Sequence, residues 1–195
     1  DVSHSRRVNP IQRKYIPNLA AASETAETLL ESLQKGKKDG GGGSDQFFQT
    51  SAVNFLAACI YFFVNYEREP YDKNGNLLRA EKVMDKQTRR EKPTGRVFDK
   101  DNNLLDSQKD EYYWLGKYSD MPHILSFLNE SYQTIFEVLE TDNEVAPLLG
   151  PFQTALKNKA MEQLEGMIGT LRVFTSDWPL RRATGYSTRM AMIST

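Results

Sequence analysis

The sequence predicts a mainly α fold, a helical bundle around one central apolar helix, and three observations carry that expectation. Residues 45–66, DQFFQTSAVNFLAACIYFFVNY, contain no charge after Asp45 and neither Pro nor Gly. Two further stretches, 18–35 and 118–174, repeat apolar residues at steps of three and four, the period of a helix with one buried face. Turn formers and charges concentrate in a single block, 67–117, which reads as a polar insertion holding short β-hairpins between helices. The expected organisation is an all-α domain over 9–176, an inserted arm over 67–117, and a loosely ordered tail over 177–195.

The totals agree with one domain. A chain of 195 residues buries a core without staples. The net charge of −1 excludes a uniformly basic nucleic-acid binder but leaves room for a local patch. The single cysteine, Cys59, lies inside the apolar run, so it acts as a small hydrophobe and fits a reducing compartment. The N-terminus has no apolar core of the signal-peptide kind, and its start at Asp1 reads as a processed product or a piece of something longer.

Residues 1–17 are basic and broken by Pro10 and Pro17, each of which pushes the preceding residue out of helix, so an extended lead-in is expected. The first helix runs from about Asn18, a good cap, to Lys35, with Leu19, Ala22, Ala26, Leu29, Leu30 and Leu33 on one face. Gly36 stops it, and a flexible linker, Asp39 to Ser44, follows. That linker lacks the Gly-Lys-Ser/Thr ending of a phosphate-binding loop and no strand precedes it, so it is not read as a nucleotide site.

The central helix over 45–66 would be ~33 Å long, enough to cross a small domain or a membrane. Its polar and small residues, Thr50, Asn54, Ala58, Tyr61 and Asn65, fall on one narrow stripe. Polar residues in its first half and the lack of basic flanks favour a buried helix of a soluble domain over a membrane span. Two segments of the arm resemble one another: Tyr71-Asp-Lys-Asn-Gly-Asn-Leu-Leu78 and Phe98-Asp-Lys-Asp-Asn-Asn-Leu-Leu105. An aromatic, an Asp/Asn/Gly turn and a leucine pair predict a short hairpin in each. Asp99, Asp101, Asn103 and Asp110 have partial calcium-loop spacing, but Leu104 stands where that loop needs Gly, and plain turns are the preferred reading.

Beyond the arm, Ser119-Asp120-Met121-Pro122 opens a short helix, residues 129–131 break and recap it, and Tyr132, Ile135, Phe136 and Leu139 mark the next. A short turn of helix over 144–149 precedes a long last helix, about 151–174. Gly166 and Gly169 lie on or beside the apolar face of that helix, where each costs about 1 kcal/mol against Ala and implies a close neighbour. No catalytic constellation emerges. His4 and His123 have no spaced second ligand, Cys59 is expected to be buried, and Glu162 with Glu165 read as a solvated carboxylate pair. The chain is therefore expected to be no enzyme, with no cofactor and no metal of its own.

Four runs carry a family resemblance. They are Asn9-Pro10-Ile11 onward, with Ile16-Pro-Asn-Leu-Ala20 and Glu24-Thr-Ala-Glu-Thr-Leu-Leu30; Asp45-Gln-Phe-Phe48 with Ala52-Val-Asn-Phe-Leu-Ala57; Tyr118-Ser-Asp-Met-Pro-His123; and Asn158-Lys-Ala160 with Leu164-Glu-Gly-Met-Ile-Gly-Thr-Leu-Arg172. Together they resemble the TraG/TraD-type coupling proteins, the motor ATPases of conjugative type IV secretion, most of all the versions on Bacteroides-like mobile elements. The similarity covers about 9–66 and 116–176 and rests on order and spacing. In that family an all-α domain interrupts a RecA-like ATPase domain, and this chain looks like the inserted domain alone. Residues 67–115 look like an extra arm, and the tail after Ser176 departs from the family pattern.

The resemblance implies a parent protein anchored in the bacterial inner membrane as a hexamer, with ATP and Mg bound outside this stretch. It implies that this domain faces the cytoplasm without touching membrane, and recognises relaxosome proteins or single-stranded DNA. On that reading Lys35, Lys37 and Lys38 after the first helix, and Arg89, Arg90 and Lys92 in the arm, are candidate phosphate contacts. Tyr112, Tyr113 and Trp114 are candidate base-stacking residues, expected to be exposed. The alternative for each is solvated charge or core packing. For the whole domain the alternative is a purely structural helical module that packs on its own ATPase domain or neighbouring subunits.

Overall fold

The computed structural model describes residues 9–34, 43–86, 89, 91–169 and 171–172. Lys35, Lys37, Lys38, Arg90 and the 177–195 tail lie outside the described residues. The fold is mixed α/β, with helices and two small antiparallel sheets, and this corrects the expectation of a mainly α bundle. The reason lies in 67–117: two Asp-anchored turns and a bulged ribbon satisfy the backbone there with paired strands.

Helix α1 (Leu19–Gln34) starts where the Asn18 side chain accepts the Ala21 amide at 2.9 Å. Its Ala22, Ala26 and Leu30 are buried against α2 (Gly43–Asn65). Every α2 residue from Phe55 to Val64 is buried, on all faces. Helices α3 (Met121–Phe127) and α4 (Tyr132–Leu139), a 3₁₀ turn (Ala146–Leu149) and a π-helical turn (Glu165–Gly169) all contact it. The segment Gln46–Asn65 is long and apolar enough to cross a membrane by length and composition, and 61% of its most apolar window is buried inside the protein.

The lead-in is part of the core. Ile11 and Ile16 are fully buried, and Asn9 Nδ2 donates to the Ser119 carbonyl at 2.6 Å. The Ser119 hydroxyl in turn donates to the Ile11 carbonyl. The polar stripe of α2 divides in two. Thr50 and Asn54 are exposed, whereas Tyr61 donates its hydroxyl to Glu144, and Asn65 accepts from Arg13 Nη1 at 2.7 Å. Cys59 is buried, and burial pushes its thiol far above the ordinary range, so it is an inert core residue.

The long last helix expected over 151–174 is broken. Helix α5 (Gly150–Lys157) ends at Asn158, and Lys159 adopts the left-handed conformation, φ +55. Lys159 N–H donates to the Leu156 carbonyl (3.0 Å) and Ala160 N–H to the Ala155 carbonyl (2.9 Å), the paired bonds of a Schellman ending. Helix α6 (Met161–Leu164) then runs into the π turn. The two glycines of that turn do have close neighbours. A Cβ on Gly166 would come within 2.7 Å of the Phe48 ring, and one on Gly169 within 2.7 Å of the Glu165 carboxylate. A left-handed lysine is strained where glycine is not, so Lys159→Gly is expected to raise stability by about 0.5–1 kcal/mol, read from thermal or denaturant unfolding. A loss of stability would contradict the role given to this cap.

Candidate functional site

The arm is one long antiparallel ribbon that leaves α2 and returns to it. β1 (Arg68–Asp72) pairs with β4 (Tyr112–Gly116), Arg68 opposite Gly116 and Asp72 opposite Tyr112. Farther out, β2 (Arg79–Met84) pairs with β3 (Glu91–Phe98). Between these sheets each leg makes the same loop. Asp72 Oδ1 accepts the amides of Asn74 (2.8 Å) and Asn76 (2.9 Å), while Asp99 Oδ1 accepts those of Asp101 (2.9 Å) and Asn103 (2.8 Å). The second oxygen of each takes the Asn76 or Asn103 side-chain amide, and the bridges Tyr71↔Leu77 and Phe98↔Leu104 close each loop. These hydrogen bonds hold both carboxyls below their ordinary range. With the Asp99 carboxylate turned onto its own backbone, the partial calcium spacing is a turn motif, and no metal-ligating cluster occurs among the described residues.

The outer sheet is bulged where Thr94, Gly95 (φ +92) and Arg96 face Glu81. Glu81 accepts Thr94 Oγ1 at 2.7 Å and Arg96 Nη1 at 3.0 Å, while Lys92 pairs with Asp85 at 2.7 Å. Of the expected phosphate contacts in the arm, Lys92 is therefore neutralised, and Arg89 is exposed at the tip in a left-handed conformation, φ +52. Among the described residues, Lys82, Lys86 and Arg89 form no ion pair. The guanidinium of Arg79 lies 4.1 Å from the Phe98 ring centre and donates to Asn102 Oδ1 at 2.5 Å, bridging the outer sheet to the second loop.

The three aromatics expected to be exposed are half-buried strand residues. Tyr113 stacks on Tyr71, ring centres 5.9 Å apart, Trp114 lies opposite Pro70, and Tyr112 opposite Asp72. The arm does not bring them to its basic outer hairpin.

Sequence reasoning did not single out a second feature, a groove where β1 gives way to β2. It has a volume of about 390 Å³ and is lined by Arg68, Glu69 and Pro70 on one side and by Leu77 to Ala80 and Lys82 on the other. Arg68 is half-buried; burial and the neighbouring Arg13 charge both push its guanidinium below the ordinary range. The loop 72–76 is what brings Arg68 and Arg79 to one place, so only the duplicated Asp turn hinted at it.

Two other polar clusters stand out among the described residues. The Asp120 side chain caps α3 through the His123 amide, and His123 Nδ1 lies 2.5 Å from Asp120 Oδ2. Ser119 beside them is 2% exposed, and its hydroxyl donates to the Ile11 carbonyl. Tyr132 donates to Glu165 at 2.7 Å under the Arg172 guanidinium, tying α4 to the π turn. No protein-family model, no curated protein and no solved structure matches the chain.

Proposed function

We propose that the chain is a recognition domain of a conjugative coupling ATPase, contacting single-stranded DNA or the relaxosome proteins that carry it. In this reading the domain performs no catalytic step. ATP and Mg belong to the parent's nucleotide site, and the domain works on the cytoplasmic face of the inner membrane. The observation that carries the reading is charge segregation. Residues 79–98 hold seven Lys/Arg against three Asp/Glu, a net of +4, in a chain whose total is −1. A projecting cationic hairpin on an otherwise acidic protein is the electrostatic footprint of a polyanion contact.

The test is a fluorescence-anisotropy titration of the full chain with labelled oligothymidylate at two salt concentrations. Binding is expected to weaken by about 10- to 100-fold between ~50 and ~200 mM salt, as release of counterions from about four phosphates requires. No binding, or binding indifferent to salt, would remove the nucleic-acid part of the reading.

A second reading, a structural module that packs on its own ATPase domain or neighbouring subunits, is favoured by one observation. Val83 and Met84 on the same hairpin are 53% and 60% exposed, more apolar surface than a solvated ribbon needs.

A further inference from the structure

We infer that the groove between β1 and β2 is the seat for a single-stranded nucleic acid, with Arg68, Arg79 and Lys82 on its phosphates and Pro70, Leu77 and Leu78 beneath a base or sugar. The inference rests on the nucleic-acid reading above and assigns it a place. Three cations line one concavity, and among the described residues none of them has a carboxylate within ion-pair distance. The one carboxylate in the lining, Glu69, accepts the Tyr71 hydroxyl at 3.3 Å.

Arg68 is half-buried in this lining, and charge-assisted bonds from a guanidinium to a phosphodiester are short, strong and directional. Arg79 lines the groove while its guanidinium is held by Phe98 and Asn102, so the residue enters the site with little further loss of freedom. A floor of proline and leucine suits the apolar faces of sugar and base and gives no sequence readout, as expected for a contact that follows a strand. The volume, about 390 Å³, lies at the small end of ligand clefts and takes one nucleotide of a passing strand.

The experiment compares wild type with Leu77→Glu and Lys82→Glu in the oligothymidylate titration. Lys157→Glu on α5 serves as a control for charge alone. All three positions are exposed, and equal thermal midpoints verify folding. Each groove variant is expected to weaken binding roughly tenfold, while the control changes it less than about twofold. If wild type binds with its salt dependence and both groove variants bind as well as the control, the groove is overturned and the domain-level reading stands. If wild type does not bind the oligomer, both fall. If inorganic phosphate or thymidine monophosphate competes as well as the oligomer per phosphate, the site is for a small anion, and the strand assignment is overturned. Binding only to an acidic protein, with none to the oligomer, overturns it too.

Discussion

Phe55→Ala is expected to destabilise the protein by about 3–5 kcal/mol. Phe55 is fully buried, and its ring meets two others: Phe136 on α4, edge-on at 6.1 Å, and Phe152 on α5 at 5.1 Å. Truncation removes a large apolar surface, two aromatic contacts and the filling of the space between three helices. Because α2 is enclosed on every face over this stretch, its neighbours cannot collapse into the void without losing their own packing on it. In a chain of this length such a loss lowers the midpoint by roughly 10 °C or more. Phe47→Ala, on the same helix but 52% exposed, is expected to cost about 0.5 kcal/mol or less. Similar midpoints for the two variants would mean that α2 is not the core element described above.

That contrast also shows what the sequence made legible. The unbroken apolar run over 55–64 announced a surrounded helix, and Asn18, Asp120 and Ser131 announced helix starts through side-chain chemistry that acts locally. The twin Asp loops were legible for the same reason, since each is closed by hydrogen bonds within five residues. What was hidden depended on distance along the chain or on a residue in an unusual conformation. The pairing of β1 with β4 joins segments on either side of the whole outer hairpin, and no local pattern specifies it. The break after α5 rests on a left-handed Lys159, a conformation that Gly or Asn would have signalled. The groove cations were missed because a loop, not a run of sequence, gathers them. Arg89, Arg90 and Lys92, picked from a run, include one residue that the fold neutralises and one outside the described residues.

The second large effect concerns the base of the arm. Gly116→Ala is expected to destabilise the protein by about 3 kcal/mol, at the upper end for overpacking. An ideal Cβ there would sit 2.2 Å from the Phe63 carbonyl oxygen and 3.1 Å from that of Val64. Both obstacles are backbone in the last turns of a helix buried all round, so neither can swing aside as a side chain would. Relief requires β4 to lift from α2. That movement pulls on the turn at Ser119, whose hydroxyl and carbonyl hold Ile11 and Asn9, so the lead-in isoleucines are strained with it. The expected signature is therefore double: a lower midpoint, and faster amide hydrogen exchange in β1 and β4 than in α4 under native conditions. The outer hairpin closes its own hydrogen bonds and is expected to keep its exchange pattern. If Gly116→Ala leaves the midpoint unchanged, the arm does not rest on α2 at this point. Its groove would then lose the rigid footing, three residues from Asn65 and its bond to Arg13, that holds Arg68 in the lining.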